Sequence, residues 1–83
     1  MTPRQRKALL WVVTTIGESA PRGIGKWEKA WDLTAAADQQ FMEVLLAWDG
    51  ESESHGREVK AAGQRFISAW KEAAAAYLRR EAK

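Results

Sequence analysis

The sequence has no cysteine in its 83 residues. That excludes disulfide staples, thiolate nucleophiles and zinc sites built on sulfur. Histidine occurs once, at His55, so no second imidazole exists to complete a metal site, and no Ser-His-Asp arrangement is read around it. No glycine-rich phosphate loop is present. No apolar run approaches the roughly 20 residues of a membrane-spanning helix. A large excess of one charge is missing too: the net charge is only +2, low for a dedicated nucleic-acid binder. These absences lead us to expect no enzyme, no cofactor and no metal. The lack of cysteine also accords with a cytoplasmic location.

Chain length sets a further bound. Eighty-three residues allow one domain, here 1–83, near the lower limit of what a single core can hold together. A homodimer or a partner protein is a natural supplement. Five tryptophans are many for such a chain. Each brings a large apolar area and one N–H that wants an acceptor, and tryptophan is enriched where proteins grip one another.

Thr2-Pro3 is a strong helix start, a capping hydroxyl followed by proline at the first helical position. A first helix is expected from about residue 3 to 16, ended by Gly17. Its apolar stripe is Leu9, Val12, Val13 and Ile16, with Trp11 on the opposite side beside Arg4 and Lys7. The basic start and the apolar residues after it outline a signal peptide. Thr14 and Thr15 interrupt that run, however, and Glu18 stands where a small residue is wanted, so the segment reads as a helix of the fold. Gly17 to Gly25 holds three glycines and a proline and reads as a loop.

A second helix is expected over about 26–48. Trp27, Trp31, Thr34, Asp38, Phe41, Leu45 and Trp48 recur at steps of 4, 3, 4, 3, 4, 3, a heptad-like seam. Asp49 to Gly56 is a polar turn in which Ser52 or Ser54 can cap the next helix. That third helix is expected over about 54–81, with Val59, Gly63, Phe66, Trp70, Ala73 and Tyr77 repeating in the same way. The two seams lie antiparallel when Trp48 meets Val59, Phe41 meets Phe66 and Asp38 meets Trp70. In this register Asp38 accepts from the Trp70 indole and fixes the helix register. The expected fold is all-α: a three-helix bundle, with a long antiparallel hairpin of helices 2 and 3 packed by a shorter N-terminal helix.

The stretch "TPRQRKALL" resembles the opening helix of bacterial helix-turn-helix regulators. That resemblance implies nucleic-acid contact, for which Arg4, Arg6, Lys7, Arg22, Lys26 and Lys29 would form a phosphate-contacting patch. The short second helix and recognition helix of that motif are missing from the residues after it. Trp48-Asp49-Gly50 in a hairpin turn, with "YLRRE" further on, resembles the small secreted substrates of type VII secretion systems. That implies a hairpin that pairs into a four-helix dimer. The helices are short for that family, and the first helix has no counterpart there. His55 stands among Asp49, Glu51 and Glu53, but Lys60 occupies the position where a calcium loop ends in glutamate, so a capping turn is expected rather than a cation site. The residues themselves favour a small non-catalytic protein–protein interaction module, a regulator, inhibitor or adaptor. Its expected binding residues are Arg4, Lys7, Trp11, Arg22 and Lys26.

Overall fold

The structure is a computed structural model that describes residues 1–19 and 28–81. It contains three helices in order: α1 Pro3–Ser19, α2 Glu28–Ala47 and α3 Glu53–Glu81. Helices α2 and α3 pack most closely, and α1 lies chiefly against α3. The all-α three-helix bundle is the fold, with no strand among the described residues. The molecule is elongated, 48 × 20 × 16 Å.

Helix α1 passes straight through Gly17 rather than stopping there. A glycine ends a helix by turning left-handed, and Gly50 is the one described glycine with a positive φ, at 85°. Gly17 stays helical at the modest propensity cost of an interior glycine. The α2–α3 turn uses that left-handed Gly50 instead. Trp48 N–H donates to Leu45 O at 3.2 Å, which tightens the last turn of α2. The Asp49 carboxylate then accepts from the backbone N–H of Glu51 and of Ser52, both at 2.8 Å. Ser52 caps α3, its hydroxyl facing His55 N at 3.4 Å.

The core joins all three helices. Val12, Phe41, Leu45 and Val59 are its largest fully buried side chains. The Phe41 and Phe66 rings sit 6.1 Å apart, tilted by 41°, so the antiparallel register expected from spacing holds at its centre. A smaller cluster of Trp70, Ala73 and Ala74 extends the core toward the end of α3, with Ile16 and Tyr77 against it. Helix α1 runs parallel to α3: Trp11 and Val12 face Gly63, and Ile16 reaches the Trp70 cluster.

Two expectations about helix faces are corrected. Asp38 is exposed, while Thr34 is 2% exposed and Ala37 half-buried. On a helix, positions 37 and 38 flank the line through 34, 41, 45 and 48 by about 50° on either side. Periodicity does not choose between them. Burying a carboxylate is costly and burying an alanine methyl is not, so the helix turns its Ala37 edge inward. Asp38 therefore lies at the surface instead of in the seam, where the expected pairing with Trp70 had set it. Val13 is the second case: it is 56% exposed, while Trp11 is half-buried against the core. Gly63 leaves room for the Trp11 ring, and burying an indole removes more apolar area from water than burying a valine.

Candidate functional site

The site starts with a polar lock at the N-terminus of α1. Thr2 and Gln5 form a reciprocal capping box. The Thr2 hydroxyl accepts from Gln5 N–H at 3.2 Å, and Gln5 Oε1 accepts from Thr2 N–H at 2.6 Å. Gln5 is only 6% exposed. Its Nε2 donates to Leu45 O at 3.0 Å and to Trp48 O at 2.6 Å. The Gln5 side chain thus meets the Thr2 N–H that opens α1 and two carbonyls where α2 ends. Thr2 also occupies the space a side chain at Gly50 would need. The first turn of α1 is held against the α2–α3 turn by these contacts.

That anchoring opens a groove between α1 and α3. Its volume is about 340 Å³. Arg4, Lys7 and Trp11 line it from α1 and Lys60 from α3, above Ala8, Gly56, Val59 and the Trp48 ring. An adjoining depression adds Arg57 and Glu53. Trp48 is 7% exposed, and its Nε1–H donates to Ser52 O at 2.8 Å. Gly56 makes room for it, since a Cβ there would lie 3.2 Å from the indole. The Arg4 guanidinium stands 5.5 Å from the centre of the Trp48 ring, a cation–π distance.

The electrostatics are one-sided. Arg4, Lys7, Arg57 and Lys60 are all exposed. Among the described residues the one ion pair is His55 with Glu58, at 3.9 Å on the surface. The four groove cations therefore have Glu53 nearby but, among the described residues, no carboxylate within ion-pair distance. Among the described residues no three acids or histidines gather as a metal site. Asp49 spends its carboxylate on the turn.

The N–H groups of Ser52 and then Glu51 hold the Asp49 carboxyl below its ordinary range. A carboxyl whose folded pKa is depressed adds stability above its unfolded pKa, about 4, and that stability is lost as pH falls through the folded value. Asp49→Ala is therefore expected to lower the melting temperature at neutral pH. The gap from the parent chain should narrow as pH drops below about 4. A gap unchanged by acid would show that the charge is not what the turn uses.

Of the residues expected from sequence, Arg4, Lys7 and Trp11 come together at this groove. Arg22 and Lys26 lie outside the described residues. Trp11 is neither a free anchor nor plain core; part of its ring rests on Gly63 and part lines the groove. Sequence reasoning missed Gln5, Trp48, Arg57 and Lys60 as members. The T-x-x-Q capping box was a readable signal for Gln5. For Arg57 and Lys60 the only signal was a pair of cations one helical turn apart. No protein-family model matches this chain, and neither the curated proteins nor the solved structures contain a match.

Proposed function

We propose that this chain is a small, non-catalytic, cytoplasmic protein-interaction module, a regulator, inhibitor or adaptor, that docks its partner in the α1–α3 groove. The observation that carries this reading is the ring of cations around an aromatic floor. Exposed arginine and lysine supply steering and forked hydrogen bonds. Partly buried tryptophan supplies the apolar area that typifies binding hot spots.

The test is affinity capture from the native host with nuclease-treated lysate. The parent chain is compared with a Lys7→Glu/Lys60→Glu variant. A partner protein held by the parent chain should fall about tenfold or more in recovery with the variant. Equal recovery by both baits would move the docking surface elsewhere. Recovery lost to nuclease, with DNA or RNA affinity that drops steeply with salt, would replace the reading with a nucleic-acid-binding regulator.

A further inference from the structure

The groove is specific enough in shape and charge to say what kind of segment fills it. Its cations come as two pairs, Arg4 with Lys7 on α1 and Arg57 with Lys60 on α3. Each pair is spaced i, i+3, which places its members about one helical turn apart on the same side of its helix. Because α1 and α3 run parallel here, the two pairs border a straight trough. Ala8 lines it from α1, and so small a side chain lets another backbone come close. A trough between two neighbouring helices is where a bundle seats one helix more.

The apolar lining argues for a protein segment rather than a phosphate backbone: Ala8, Trp48 and Val59 lie between the groove cations, where an apolar side chain gains by burial. Arg4, Lys7, Arg57 and Lys60 border the groove, and Arg65, Lys71, Arg79 and Arg80 are exposed farther along α3. Farther along the outer side of α1, Leu10, Val13 and Thr14 are exposed and uncharged, and Glu18 is exposed and acidic. Helix α2 exposes Asp32, Asp38 and Glu43. A nucleic acid gains affinity from cations that track its phosphates over a distance. Here the four groove cations flank an apolar lining that a phosphate backbone cannot fill.

We infer that the groove receives an acidic amphipathic helix of the partner protein. The helix sets glutamate or aspartate against Arg4, Lys7, Arg57 and Lys60 and lays an apolar side chain on Trp48, Val59 and Gly56. This inference rests on the groove being the docking surface.

The experiment titrates the full-length, 15N-labelled chain with a synthetic peptide of about 18 residues, long enough to hold a helix. The peptide carries leucine on one face and glutamate on its flanks. A second peptide replaces every glutamate with glutamine, and a duplex DNA oligonucleotide is the third ligand. The indole N–H signals of Trp11 and Trp48 should shift and saturate with the glutamate peptide, while that of Trp70 stays in place. Affinity should fall about tenfold or more with the glutamine peptide and in the Lys7→Glu/Lys60→Glu variant. A Lys7→Gln/Lys60→Gln variant with unchanged thermal unfolding should show a smaller loss in the same direction.

The inference is overturned if neither indole moves, if both peptides bind equally, or if DNA binds more tightly than the glutamate peptide. Shifts of these indoles that depend on protein concentration, without any peptide, would assign the groove to a second copy and overturn it too. If partner capture requires Lys7 and Lys60 but the glutamate peptide does not bind, the docking surface stands and the acidic helix falls. If capture ignores both lysines, the docking surface itself falls.

Discussion

Gln5→Ala is expected to lower the unfolding free energy by about 2–4 kcal/mol. The substitution removes the donor to Leu45 O and Trp48 O and the acceptor for Thr2 N–H. Truncation strands Trp48 O and Thr2 N–H while Leu45 O keeps the Trp48 N–H, and an unmet polar group costs more than the bond itself is worth on balance. Against the roughly 5–15 kcal/mol typical of whole domains, that is a large share for one surface-proximal glutamine. Urea unfolding measures it directly.

Gln5→Glu separates the local account from the tertiary one. Helix-capping preference alone favours glutamate at this position. In the fold, however, a carboxylate would face two carbonyl oxygens where an amide N–H₂ now donates. The tertiary contact therefore predicts a neutral-pH loss at least as large as that of alanine. The sign of the shift sets the pH dependence. The fold disfavours the charged form, so the folded pKa rises above the unfolded value of about 4.3. Relative stability is then retained below that value and lost as pH rises through the folded pKa. A Gln5→Glu chain as stable as the parent at pH 7 would show that the cross-helix bonds contribute nothing.

Gly63→Leu is the second large effect, expected at about 3 kcal/mol or more. A Cβ at Gly63 already lies 2.8 Å from the Trp11 ring, 2.9 Å from Val12 and 3.4 Å from Phe41. Leucine adds three further carbons to a crossing that is full, and the surrounding side chains are the core itself. The helix-propensity gain over glycine, about 1 kcal/mol, offsets only part of this. The strain falls on α1, whose contact with the bundle is mainly with α3. Amide hydrogen exchange should therefore quicken in α1 before α2 and α3. Because α1 carries one side of the groove, peptide binding there should weaken together with that protection. Stability equal to the parent, with α1 exchange unchanged, would mean that the crossing has slack the distances do not show.

The sequence carried the elements and much of the packing on particular residues. Thr2-Pro3 opened α1, and the matched seams brought Phe41 to Phe66. Glycine and aspartate after Trp48 marked the turn, and Ser52 served as a cap. Each of these is a short-range property, decided by backbone dihedrals, by hydrogen bonds a few residues apart or by a repeating step along one helix.

Other features could not be decided that way. The choice between Ala37 and Asp38, the inward turn of Trp11 and the outward turn of Val13 all depend on a neighbour. A helix offers two equivalent flanks to either side of its apolar line, and only the surface packed against it selects one. The grip of Gln5 on carbonyls 40 and 43 residues away, and the meeting of Arg4 and Lys7 with Arg57 and Lys60, required the parallel placement of α1 on α3. By itself the sequence determined three helices, their antiparallel hairpin and a basic, tryptophan-bearing first helix. Only the tertiary structure made that helix one side of a groove. Periodicity is a property of one helix, whereas a groove is a property of two.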